Sequence, residues 1–167
     1  QLGNTVAIVE REKIGGTCLN VGCIPSKTLL KHGEMVENIK KANDWGIHTG
    51  GLFIDFPKLM RRKDQVIQTL TGGVDYLLKK NNITLFQGTA SLDKERVVTI
   101  SEEKIKGRNI LLATGSRPFV PPIKGLEEVD YITTDSFFDL KELPESLVII
   151  GGGVIAVELA FAMAPLG

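Results

Sequence analysis

Apolar residues in this chain change spacing from segment to segment, and the changes mark out its elements. Thr5 to Val9 is a short, largely β-branched run that ends in Glu10 and predicts a strand. Between Ser26 and Lys41, Leu29, Leu30, Val36 and Ile39 recur at helical spacing and predict a helix with one face in the core. Asn43 to Phe56, punctuated by Gly46, Gly50 and Gly51, predicts a loop. From Pro57 to Lys80, Leu59, Val66, Leu70, Val74, Leu77 and Leu78 mostly step by three or four, the spacing of an amphipathic helix. Gly72 and Gly73 interrupt it at a cost of about 2 kcal/mol relative to alanine, so close packing against another backbone is expected there. Ile83 to Phe86, Arg96 to Ile100, Asn109 to Ala113 and Leu147 to Ile150 predict strands separated by turns. Thr134 or Asp135 is positioned to cap a short helix running through Leu140.

Charge and composition narrow what such a protein does. The 167 residues carry 20 basic and 20 acidic side chains with no basic block, which argues against nucleic acid or an anionic membrane as the main partner. No apolar run approaches the ~20 residues of a membrane span, and the start is not a signal peptide. A soluble, cytoplasmic protein is expected. The chain begins Gln1-Leu2-Gly3 without methionine, Gly3 sits where a glycine follows a helix, and the last residues form an apolar helical pattern ending at Gly167. An internal fragment, truncated at both ends, is the expectation.

The chemistry is concentrated in Gly15 to Lys27, GGTCLNVGCIPSK, which holds the only two cysteines, Cys18 and Cys23. Five residues of undistorted helix advance about 7.5 Å, near or beyond the ~7 Å Cα limit for a disulfide. If the two bridge, the backbone between them is bent, and Gly22, lacking a Cβ, permits the bend. Pro25 suits the first turn of a helix, so Cys23 is expected at a helix N-terminus. Free N–H groups and the helix dipole favour a thiolate there, and Lys27 adds positive charge one turn on. Spacing alone leaves a structural disulfide, half of a metal site and two inert buried thiols open beside redox chemistry.

The thirteen-residue string as a whole resembles the redox-active segment of the flavin-dependent pyridine nucleotide–disulfide oxidoreductases, and its wording is nearest to the lipoamide branch of that family. The resemblance implies an α/β, Rossmann-like FAD/NAD(P)-binding fold of three layers, with a parallel sheet and a small antiparallel sheet. It makes residues 1–117 an FAD domain without its first strand and GxGxxG loop. Residues 118–146 become a linker, carrying Pro118, Pro121 and Pro122, and residues 147–167 the start of an NAD domain. It implies that Glu10 accepts hydrogen bonds from the adenosine ribose of FAD, and that Gly15, Gly16, Thr17, Cys18 and Lys27 lie against the cofactor. Ala90, with Gly88 and Thr89, then touches the adenine, and Thr114, Gly115 and Ser116 of ILLATGSRP pass under FAD.

A second nucleotide motif follows the apolar run Leu147–Ile150. Gly151, Gly153 and Ala156 fit GxGxxG/A at a strand-to-helix turn, where backbone approaches a pyrophosphate. Gly152, Val154 and Ile155 complete that turn as candidate contacts to NAD. By resemblance Glu158, also at the cofactor, pairs with a buried Lys27, and breaking a buried pair costs ~3–5 kcal/mol. The implied catalytic set is Cys18, Cys23, Lys27 and Glu158. A dithiol attacks Cys18, the interchange thiol, through a mixed disulfide, and Cys23 faces the flavin.

The implied substrate is a dithiol, a dihydrolipoyl group on an acyltransferase, and the implied parent is a homodimer. The family's catalytic histidine belongs to a C-terminal domain of the other subunit. His32 and His48 do not match it, so this chain alone is expected to lack turnover. A mercuric- or glutathione-type disulfide reductase is the alternative within the family, and a non-catalytic flavin- or metal-binding module the alternative outside it. No metal ligand set is expected.

Overall fold

The structure is a computed structural model and describes residues 3–167. Gln1 and Leu2 lie outside the described residues. The chain separates into two compact units, one of residues up to 16 with 69–117, the other of residues 17–68 with 118–167.

In the first unit β1 (Ala7–Glu10) pairs in parallel with β2 (Thr84–Gln87), with Glu10 opposite Gln87. A separate antiparallel sheet orders β3 (Ala90–Leu92), β4 (Val97–Ile100) and β5 (Glu103–Lys106) side by side. Its two turns use left-handed residues, Arg96 at φ 62° and Ser101 at φ 53°. The parallel sheet and the small antiparallel sheet are the two expected of the α/β Rossmann-like class.

Two of the expected strands do not form. Asn109–Ala113 and Leu147–Ile150 form no strand and pair with none among the described residues, and Leu111 and Val148 are 89% and 88% exposed. A strand with both faces apolar is stable only between neighbours, and no neighbouring strand is paired to either run.

In the second unit α1 (Gly16–Val21) is a short helix broken from α2 (Cys23–Ala42) at Gly22. The break rests on a close approach. A Cβ on Gly22 would stand 2.9 Å from the Thr17 carbonyl oxygen, so only glycine lets the chain fold back this tightly. Buried Ser26 is satisfied by donating to the Gly22 carbonyl at 2.8 Å.

The helix α3 (Phe56–Lys80) starts where the Asp55 carboxylate accepts the Lys58 N–H at 3.0 Å, an N-cap. It ends where Asn82, at φ 52°, turns the chain left-handed. Gly72 and Gly73 do not pack closely as expected. Nothing lies within 4 Å of where either Cβ would stand, and α3 runs through them unbroken. The helix tolerates the pair because its other residues and its capped ends hold it, not because a neighbour does.

After the proline-rich stretch, α4 (Thr134–Phe137) is capped by Thr133, not by Thr134 or Asp135, in a reciprocal capping box with Ser136, and it ends at Phe137 before reaching Leu140. Then α5 (Val154–Met163) follows the three glycines. The core of this unit joins Leu29 and Val36 of α2, Phe56 and Met60 of α3, Phe137, Phe138, and Leu159, Ala162 and Met163 of α5. Helices α2 and α5 approach backbone to backbone at Gly33, where a Cβ would lie 3.0 Å from the Ala162 carbonyl oxygen. A buried cation completes the packing. Lys63 is 3% exposed, donates to the Phe138 carbonyl, and pairs with Asp64 at 2.8 Å.

Candidate functional site

In the second unit one member of the cysteine pair, Cys23, and one member of a charged pair, Lys27, share the first turns of α2. Cys18 lies in α1 and Cys23 is the first residue of α2, so the Gly22 break turns one thiol back toward the other. Both are thiols and both are exposed. A hydrogen bond to the Cys23 side chain, followed by desolvation and the neighbouring sulfur, pushes the Cys18 thiol above its ordinary range, against smaller lowerings by the Cys23 backbone N–H and the Lys27 charge.

One turn into α2, Lys27 Nζ reaches Glu158 Oε1 of α5 at 2.5 Å, across 131 residues of sequence. The side chains are 58% and 27% exposed, so Lys27 is not the buried lysine that was expected. The interaction belongs with part-exposed ion pairs, worth about 1 kcal/mol or less.

Beside it, a cavity of about 270 Å³ opens among Ile24, Lys27, Thr28 and His32 of α2 and Arg62 and Val66 of α3. Both ring nitrogens of His32 are buried without a partner. Burial first, and the Arg62 charge second, lower its pKa below the usual histidine range. Gly151, Gly152 and Gly153 lead into α5 with Gly151 at φ 122° and Gly153 as the N-cap. Val154 and Ile155 are exposed on its first turn, and Ala156 is half-buried behind them.

The first unit gathers the other candidates. Gly15 and Gly16 have φ of 102° and 65°, and Gly16 leads into Thr17 of α1. Glu10 ends β1, and one of its carboxylate oxygens accepts the Glu12 N–H at 2.8 Å. Ala90 opens β3 opposite Ile100. Thr114, Gly115 and Ser116 are exposed in a segment without helix or strand, which Gly115 turns at φ 72°.

Glu12 is a junction that the sequence reading missed. Its carbonyl accepts from Gln87 Nε2 at 3.1 Å, and its carboxylate accepts from Arg11 at 2.7 Å and Arg117 at 3.0 Å. Hydrogen bonds from these two arginines hold its pKa below the usual carboxylate range. The only available signal was Arg117 in the string GSRP, and a charge there has no unique partner in sequence.

The open glycines bear on whether a dinucleotide fits. Nothing stands within 4 Å of the Cβ positions of Gly16, Gly115, Gly151, Gly152 or Gly153. A side chain at any of them would fill space through which a phosphate or ring reaches backbone N–H groups, which is the use of glycine in such turns. A family model described as pyridine nucleotide-disulphide oxidoreductase matches residues 1–167. The chain belongs to this family.

As a pyridine nucleotide-disulphide oxidoreductase, it has FAD and NAD(P) as its cofactors. It is 42% identical over 165 residues to a dihydrolipoyl dehydrogenase of Acholeplasma laidlawii, covering 96% of this chain and 49% of that protein. It is 41% identical over 172 residues to a dihydrolipoyl dehydrogenase of Chlamydia muridarum, covering all of this chain and 37% of the relative. Among solved structures, the Cu(II) complex of the HOCl-induced flavoprotein disulfide reductase RclA from Escherichia coli superposes with a TM-score of 0.81 at 31% identity, over 99% of this chain and 35% of that one. The chain therefore spans between about a third and a half of the length of these relatives. No helix of the described residues is long and apolar enough to cross a membrane, and no group of three metal-ligating side chains occurs among them.

Proposed function

We propose that the complete protein is a dihydrolipoyl dehydrogenase that oxidises a dihydrolipoyl group on an acyltransferase and reduces NAD+. The observation that carries this reading is the cysteine pair, two exposed thiols on either side of a glycine break at a helix start, with a lysine–glutamate pair one turn away. In the oxidised state Cys18 and Cys23 form a disulfide. A substrate thiolate attacks the Cys18 sulfur, the Cys18–Cys23 bond breaks, and Cys23 leaves as a thiolate. The second substrate thiolate then attacks its own sulfur in the mixed disulfide, forming the cyclic substrate disulfide and freeing Cys18, which takes a proton. FAD, when bound, supplies the two-electron transfer from the reduced cysteines to NAD+. The net change turns a dithiol and NAD+ into a disulfide, NADH and one proton.

In this reading Cys23 lies toward the flavin, and Lys27, held by Glu158, stabilises negative charge near it. Glu10, Gly15, Gly16, Thr17, Ala90 and Thr114 to Ser116 bind FAD. Gly151 to Ala156 bind the NAD pyrophosphate. We further propose that residues up to 117 belong to the FAD domain, that 147–167 open the NAD domain, and that the protein is a cytoplasmic homodimer whose partner subunit completes the site.

The test is an anaerobic titration of the complete protein with NADH. A yellow protein that gains a long-wavelength thiolate-to-flavin absorbance band, lost in Cys23→Ser, is the expected result. A flavin that bleaches directly, with no such band, refutes the proposed path through the cysteines.

A further inference from the structure

We infer that Glu12 and Arg117 are positioning residues for FAD, forming a clamp that ties the loop after β1 to the turn Thr114–Ser116. The inference rests on FAD as the cofactor of this family. Four polar contacts meet at residue 12. Its N–H donates to the Glu10 carboxylate at 2.8 Å, and its carbonyl accepts from Gln87 at 3.1 Å. Its carboxylate accepts from Arg11 Nη2 at 2.7 Å and from Arg117 Nη2 at 3.0 Å.

The contact to Glu10 occupies one carboxylate oxygen and fixes the rotamer of that side chain, leaving the second oxygen to accept from a ribose hydroxyl. The Arg117 contact acts on the other side. Residues 111–120 form no helix or strand, so the Thr114–Ser116 turn has no backbone ladder to hold it, and Arg117 is the residue that follows it. The loop after β1 likewise passes through left-handed Gly15 and Gly16, which favour mobility in the absence of ties. An arginine–carboxylate bridge between the two segments restrains both before the ligand arrives, which lowers the ordering cost of binding.

Both partners are more than half exposed, at 63% and 57%, so the clamp is weak as a stability element and effective through what it orients. Its removal is therefore expected to shift cofactor affinity without unfolding the protein. Neither residue touches the reacting atoms.

The experiment measures FAD dissociation from the complete protein by recovery of free-flavin fluorescence, with near-ultraviolet circular dichroism of the apoprotein as the fold control. Arg117→Gln and Glu12→Gln are each expected to weaken FAD three- to fivefold, with unchanged thiol content and little change in melting temperature. The exchanged pair Glu12→Arg with Arg117→Glu is expected to recover affinity to within about twofold. The single-variant deficit should fade in ~1 M salt, where exposed charges are screened within about 3 Å. Single variants that hold FAD as tightly as wild type, or an exchanged pair worse than the sum of the singles, overturn the clamp. Wild-type protein that takes up no FAD overturns the cofactor reading instead, and that result is seen before any variant is made.

Discussion

Removing the Lys27–Glu158 pair tests how far water reaches it. The relevant perturbation is a double-mutant cycle of Lys27→Met, Glu158→Gln and the two together. At the observed 2.5 Å, Coulomb attraction in a water-like dielectric amounts to roughly 1.7 kcal/mol. Ordering a lysine and a glutamate takes back a comparable fraction of that. With Lys27 more than half exposed, the net coupling belongs at about 1 kcal/mol or less, not at the ~3–5 kcal/mol of a buried pair.

Urea unfolding of the four proteins should therefore give an interaction energy of about 1 kcal/mol, a factor of about five in the folding constant, at constant m. In ~1 M salt the coupling should fall by half or more. A salt-independent coupling of 3 kcal/mol or above would refute the exposed geometry. A repulsive coupling, with the double variant less stable than the two single effects predict, would refute the contact. Under the proposed function, Lys27→Met also slows flavin reduction by NADH while leaving the Cys18–Cys23 pair able to oxidise, which a thiol count separates from the stability effect.

Three further outcomes follow from the same geometry. The alkylation rate of Cys18 by iodoacetamide, followed by mass spectrometry, should rise with pH around a midpoint above the ordinary thiol value, and Cys23→Ala should move that midpoint down because the hydrogen bond that the Cys18 thiol donates to Cys23 is the leading cause. The lowered pKa of His32 means that the unfolded chain binds a proton first as pH falls below about 6.5. Its contribution is thus intact above that pH and lost as pH falls toward the folded value, so His32→Phe should flatten the melting temperature between pH 7 and pH 5, and an unchanged slope refutes the assignment. Gly72→Ala and Gly73→Ala should each stabilise by about 0.5–1 kcal/mol, because both positions are helical and open. By contrast, Gly33→Ala should cost stability, since its Cβ meets the Ala162 carbonyl at 3.0 Å, and thermal melts distinguish the two signs.

Local signals were the legible part of this chain. The β1 run, the helix from the second cysteine, the long helix closed by Lys79 and Lys80, and the glycine turn before α5 all depend on residues within one or two turns of each other. The cysteine motif was legible for the same reason, and Lys27 with Glu158 became a pair only through family resemblance. Pairing between distant segments was not legible. The small strand β5, EKIK, has too weak an alternation to announce itself and exists because β4 lies beside it. Ile110–Ala113 has the composition of a buried strand and no partner among the described residues. Apolar run length measures what a segment prefers when neighbours are present, and carries no information on whether they are.

The glycines make the limit concrete. A helix pays the same backbone entropy for Gly33 as for Gly72, and sequence reasoning assigned a close neighbour to the doubled glycine because its cost was larger. The structure puts the neighbour at the single one, where α2 meets α5. What decided the matter was the apolar surface around each. Leu29 and Val36 bracket Gly33 with buried side chains, so a second helix is drawn down onto that face and the missing Cβ lets the backbones meet. Leu70 and Leu77 bracket Gly72 and Gly73 and remain 40% and 54% exposed, so no helix of the described residues is drawn to them. A glycine's cost in a helix therefore tells where an explanation is owed, and only the burial of its flanking residues tells whether packing supplies it.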